Sequence, residues 1–173
     1  PYSQVSTMDG AYGNGLWSAT PLADPVDDAV NSSASFMPGG TVAFVGGQKQ
    51  VRFVSVHTTS PWQGDWRQWK RSLDELGLKR ADEGTRYVFM GDFNATMDHA
   101  SMREFLGTRF HDAAYGSGHG FAFTAPANLF AVPTLTAADH VVVDSDMTAG
   151  QVQAKRVSGS DHAALLATID VGR

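Results

Sequence analysis

The chain has 173 residues, 42% of them hydrophobic and 10% aromatic, which suffices for one domain with a real core. It contains no cysteine, which excludes disulfides and thiolate metal sites, and no apolar run of the ~18–20 residues that a membrane-crossing helix needs. A net charge of -5 argues against a broad basic face of the kind that grips duplex DNA by its phosphates.

In chain order, Asn14 stands between Gly13 and Gly15, a turn pattern favoured over the alternative that it lines a cleft, and Asp24 to Gly40 reads as an irregular excursion rich in Pro and small residues. Thr41 to Val45 and Gln50 to Val56 alternate as strands joined through Gly46-Gly47, a hairpin signal, and the second of them runs into His57. Trp62, Trp66, Trp69, Leu73 and Leu76 recur at helical spacing, so they predict one helix packed by this face on a sheet, with Ser60-Pro61 as its start and Gly77 as its stop. Lys79 to Arg86 is a charged loop. The run Val88-Phe89-Met90 is a buried strand that ends in Gly91-Asp92-Phe93-Asn94. Asp98 and His99 fit the start of a short helix over Met102 to Leu106, and Phe121, Phe123 and Val132 suggest short strands or loop. Asp139-His140 leads into the strand Val141-Val142-Val143, and Ser158-Gly159-Ser160-Asp161-His162 precedes the apolar run Ala163 to Ile169. No repeat, low-complexity tract or linker divides the chain. Residues 1–173 therefore read as a single α+β domain of packed sheets with one or two long helices.

Four apolar strands each deliver Asp, Asn or His at an end. Such groups are rarely buried without partners, so ends that converge on one polar site explain the pattern better than core packing does. Side chains at i and i+2 of a strand share a face, so Asp92 and Asn94 would point into one site if the strand persists through Phe93, which would then face the core. An Asx turn after the strand is the alternative. His140 reads as packing or facing solvent. Asp98, His99, His111, Asp112 and His119 invite a second metal site, but helix caps and surface contacts account for them.

Gly91-Asp92-Phe93-Asn94, Ser160-Asp161-His162, the strand ending in His57 and the run Asp139 to Val143 resemble the endonuclease/exonuclease/phosphatase superfamily of metal-dependent phosphoesterases, in order and rough spacing. The resemblance implies a DNase-I-like layered β-sandwich flanked by helices. It implies hydrolysis of a phosphate ester in nucleic acid, lipid or a small molecule. Phosphate esters are anionic, so hydrolysis needs a cation to neutralise developing charge and a base to orient water. Asp161 would hold Mg²⁺ or Mn²⁺, Asp92 would orient or deprotonate water, and Asn94 would donate to a phosphate oxygen. His57 and His162 would stabilise the pentacoordinate phosphorus or protonate the leaving oxygen, with Asp139 fixing His162.

Members also carry an upstream Glu that binds the metal, whereas the first Glu here is Glu75 and the acid before Ser18 is Asp9. The expectation is a C-terminal portion of a longer domain, incomplete at its N-terminus, with weak or no activity by itself. A noncatalytic binding module that keeps the fold without the full metal site is the alternative. Missing strands would also leave a sheet edge open for a homodimer. The stretch Asn94 to His99 is similar to a bacterial subgroup whose phosphoesterase domain follows membrane helices, which implies an extracytoplasmic domain of a membrane protein.

Overall fold

The computed structural model describes residues 1–8, 13–28, 36–44, 50–128 and 133–172. Its centre is a five-stranded sheet in the order β3-β4-β5-β7-β6, formed by β3 (Gly39–Val42), β4 (Val51–His57), β5 (Arg86–Asp92), β7 (Asp139–Asp144) and β6 (Phe110–Asp112). β4 and β5 run parallel, and the other pairs are antiparallel. A parallel pair needs a crossover, and α1 (Trp66–Gly77) provides it. Two further antiparallel ribbons are β1 (Tyr2–Ser6) with β2 (Asn14–Ser18), and β8 (Thr148–Arg156) with β9 (Ala163–Asp170). Mixed sheets with packed helices make this the DNase-I-like α+β fold.

Strand alternation gives the central sheet two different faces. Val54 and Val56 of β4 and Tyr87 and Phe89 of β5 pack with Leu73 and Leu76 of α1 and with Met102 and Phe105 of α2 (Ala100–Leu106). On the opposite face Val51, Val88, Val141 and Val143 pack with Met147 and Val152 beneath the β8-β9 ribbon. His57, Asp92 and Asp139 continue this second face at the strand ends, because each lies an even number of positions from one of its core residues.

The tryptophan helix differs from its sequence reading. Trp69, Leu73 and Leu76 are buried, but Trp62 is 79% and Trp66 51% exposed. The reason is phase: Trp62 lies in a separate 3₁₀ turn (Trp62–Gly64), so its spacing to Trp66 does not continue a helical face. Trp66 opens α1 and carries the Arg67 guanidinium over its ring at 5.2 Å. The predicted hairpin forms with Val42 opposite Val51, while its Gly46-Gly47 turn and Val45 lie outside the described residues, as do Val132 and residues 31–35 of the excursion.

The outer edge of β3 is not open. Ala23 N–H donates to the Thr41 carbonyl at 2.8 Å and Thr41 N–H returns the bond at 2.8 Å. Apolar surface is exposed instead at Trp17 and Phe44, which border a cavity of about 460 Å³ with the buried Leu16 and Val42.

Candidate active site

In the sheet register His57 stands opposite Asp92, and Asp92 opposite Asp139. The three residues form one row across the tips of β4, β5 and β7. Asp161 and His162 approach from the facing ribbon, just ahead of β9, and all five residues line a cleft of about 380 Å³ together with Asn14 and Ser55. Ligand atoms of Asp92, Asp139 and His162 all lie within 4.8 Å of one another.

His162 Nδ1 is 2.7 Å from Asp139 Oδ2, an imidazole donating to a carboxylate. That bond is the main reason its pKa is pushed up to about 9; burial opposes it, and the charges of Asp139, Asp92 and Asp161 add to it. The ring is therefore an imidazolium at neutral pH, with Nδ1–H committed to Asp139 and Nε2–H available to an anion. Asp92 is pushed above the usual carboxylate range, first by burial and then by the neighbouring Asp139 charge. A carboxylate so placed is a better proton acceptor than an exposed one.

Asn94 does not reach the site by strand alternation. β5 ends at Asp92, Phe93 is fully buried, and Asn94 adopts a left-handed φ of 47°. Its N–H donates to Asp92 Oδ1 at 2.7 Å, and its amide Nδ2 to the Thr58 carbonyl at 3.0 Å and to Asp92 Oδ2 at 3.3 Å. This is the Asx-turn geometry, and its effect is to orient the Asp92 carboxylate. Asn14 is likewise no simple turn residue: it opens β2, donates to the Ser55 carbonyl at 2.9 Å and accepts from Ser55 Oγ at 2.7 Å. Ser55 is a cleft residue that sequence reasoning passed over, although it shares a strand face with His57.

Asp161 lies at the exposed mouth of the cleft, outside the tight Asp92–Asp139–His162 group. Its backbone carbonyl accepts the Ala127 N–H at 2.6 Å, which fixes the loop. Three carboxylates around one small cleft form a hard-oxygen donor set that suits a divalent cation such as Mg²⁺ or Mn²⁺. The donor atoms that the structure brings together are those of Asp92, Asp139 and His162, with the exposed Asp161 carboxylate at the rim of the same cleft. Glu75, Glu83 and Glu104 are the glutamates of the chain, and none lines the cleft.

The remaining polar candidates serve the fold. His140 is buried on the opposite sheet face, 2.7 Å from Asp112 Oδ2 and 2.8 Å from the Ala95 carbonyl. Asp112 also caps the short α3 (Ala113–Gly116) by accepting the Tyr115 N–H. His99 precedes α2 without capping it, its Nδ1 accepting the Thr96 N–H at 2.9 Å. Among the described residues these side chains do not form a second metal group. The basic pairs are also partly consumed: Lys70 bonds Asp74, Lys79 bonds Asp28, and Arg80 donates to the Phe105 carbonyl at the end of α2.

Gly91 lets the row form. It has φ 139°, and an added Cβ would collide with the Val56 backbone carbonyl on the parallel neighbour. Gly91→Ala is expected to cost about 1–3 kcal/mol through backbone strain and forced separation of β4 from β5. Denaturant unfolding of the variant checks this, and a midpoint equal to wild type would contradict it.

The sequence profile of the Endonuclease/Exonuclease/phosphatase family matches residues 2–162. Comparison with curated proteins gives no match. Among solved structures, a mannosyl-6-phosphatase of Bacteroides thetaiotaomicron superposes with a TM-score of 0.66 at 13% identity, over 80% of this chain and 58% of its own. A humanized D. rerio TDP2 superposes with a TM-score of 0.72 at 15% identity, over 98% of this chain and 76% of its own. A family protein from Leptotrichia buccalis gives a TM-score of 0.61 at 16% identity, over 80% and 55%. The chain thus spans somewhat more than half the length of the first and third of these.

Proposed function

The chain belongs to the endonuclease/exonuclease/phosphatase family, and from that premise we propose that the protein hydrolyses phosphate esters with the aid of Mg²⁺ or Mn²⁺. One observation carries the reading: Asp92, Asp139 and His162, remote in sequence, converge within 4.8 Å at the tips of β5, β7 and β9. Asp161 would hold the cation, which when bound neutralises charge on the phosphoryl oxygens. Asp92, its carboxylate held by Asn94 and its basicity raised by burial, takes the proton of the attacking water. His162 binds a phosphoryl oxygen through Nε2–H and donates that proton towards the leaving oxygen, while Asp139 holds its ring. His57, beside Asp92 in the row, offers a second imidazole to the phosphoryl group.

Hydrolysis of bis(p-nitrophenyl) phosphate, DNA and lipid phosphates, with Mg²⁺ or Mn²⁺ and then with chelator, tests the reaction. Asp161→Asn is expected to raise the metal concentration for half-maximal rate at least ~10-fold. Turnover that persists in chelator, or that survives Asp92→Ala and His162→Ala, would sink the assignment. A noncatalytic module that binds phosphate esters is the second reading; saturable binding with no turnover on any of these substrates is its signature.

An extracytoplasmic placement beside membrane-spanning segments is a proposal supported by the Asn94 to His99 resemblance. No helix among the described residues is long and apolar enough to cross a membrane.

A further inference from the structure

His162 borders two clefts. One is the carboxylate cleft; the other, of about 610 Å³, extends along Trp62, Asn94, Thr96, His99 and Thr136. A phosphate ester centred on His162 therefore has this second cleft beside it to take an ester arm. We propose that it is a subsite for a planar ring attached to the phosphate, stacked on Trp62 and hydrogen-bonded by His99; the proposal rests on the phosphoesterase reading above.

Trp62 is 79% exposed although it lies only a few residues from the buried Trp69, whose indole N–H donates to the Phe93 carbonyl at 3.0 Å. Trp69 has a packing role and Trp62 lacks one. The 3₁₀ turn at Trp62–Gly64 instead presents a bare indole at the rim of a cleft that His162 also lines. Indole faces gain most from flat rings, and base-on-aromatic stacking strengthens binding by between roughly five- and a hundredfold.

His99 supplies the polar half. Its Nδ1 accepts the Thr96 backbone N–H at 2.9 Å, so the ring proton resides on Nε2 and makes that nitrogen a donor. The edge of Trp69, 5.2 Å away at 70°, holds the ring in this orientation. Neither cleft is lined by Lys or Arg among the described residues, so no side-chain clamp awaits a second phosphate. The fitting ligand has a single phosphate and a flat ring bearing hydrogen-bond acceptors. A nucleobase and a substituted phenyl group share that chemistry.

The test is a ¹⁵N NMR titration of the whole chain with methyl phosphate, phenyl phosphate, p-nitrophenyl phosphate and thymidine 5′-phosphate, with Mg²⁺ present, the Trp62 indole peak being assigned from its loss in Trp62→Phe. Ring-bearing phosphates are expected to shift the Trp62 indole and to bind at least fivefold tighter than methyl phosphate. Trp62→Ala, at an exposed position where the fold is not at risk, should erase that preference and leave methyl phosphate binding unchanged. His99→Ala should weaken thymidine 5′-phosphate and p-nitrophenyl phosphate more than phenyl phosphate, and the ratio of the first two decides between a base and an aryl group. Equal affinities for methyl and ring phosphates, with His162 resonances shifting, overturn the subsite and leave the phosphoesterase reading standing. No response of His162 to any phosphate overturns both.

Discussion

Glutamine in place of His162 is expected to lower phosphodiester turnover by roughly 10²–10⁴-fold, the range for losing a positioned acid or base. Gln retains a donor but has neither the charge nor the transferable proton. In the free protein the imidazole should titrate near 9, because Asp139 holds Nδ1–H at 2.7 Å and the acidic row favours the cation. The sign follows: the group is charged below that midpoint, so anion binding by His162 should weaken as pH rises through it. Asp139→Asn leaves an acceptor but removes the charge, so the midpoint should fall towards 6.5 and turnover should fall with it. NMR titration of the His162 ring and pH–rate profiles of both variants check this. A full-rate His162→Gln enzyme would remove the imidazole from the reaction.

How much of this could be read from residues alone depended on range. The face of β4 was legible because Val54 and Val56 alternate with Phe53, Ser55 and His57 at a period of two, and the sheet preserves that period to the strand tip. The Asp-His dipeptides of β7 and of the loop before β9 looked alike in sequence but behave oppositely. In β7 the first member, Asp139, turns to the site and His140 to the core; at the mouth of β9 the second member, His162, enters the cluster and Asp161 stays at the rim. Pairing across strands decides which, and pairing is long-range. For Asn94 the strand and the Asx turn stay open in the sequence because an Asp-x-Asn tip suits both, and the left-handed φ that selects the turn is not encoded by apolar spacing. Trp62 was misplaced because a 3₁₀ turn breaks the helical phase ahead of α1. The convergence of Asp92, Asp139 and His162 was expected from the polar strand ends and from motif resemblance; periodicity alone could not have joined β5 to β9.

Alanine at Asp112 is expected to cost about 3–5 kcal/mol, the range for leaving one member of a buried ion pair without its partner. Against a typical total of about 5–15 kcal/mol, that is a large fraction of the domain's stability. His140 is 3% exposed, and its two ring nitrogens face a carboxylate and a carbonyl, both acceptors, so both nitrogens must donate and the ring is charged. Burial works against that charge, yet the Asp112 hydrogen bond and charge, with the Ala95 carbonyl, raise the pKa above 6.5. A raised folded pKa gives stability that is fully present below the unfolded value and is lost as pH rises through the folded one. Wild type should therefore lose unfolding free energy from about pH 6.5 upward, and Asp112→Asn should flatten that slope while keeping the hydrogen bond. The pair also reaches the site: His140 Nε2 holds the Ala95 carbonyl at 2.8 Å, directly after the Asn94 turn that orients Asp92. A destabilised His140 should loosen that turn, so Asp112→Asn is expected to lower turnover above neutral pH more than below it. Denaturant unfolding at several pH values, paired with pH–rate profiles, separates this from a purely structural loss, which would lower both evenly; an unfolding free energy in Asp112→Ala within 1 kcal/mol of wild type would mean that no buried ion pair exists there.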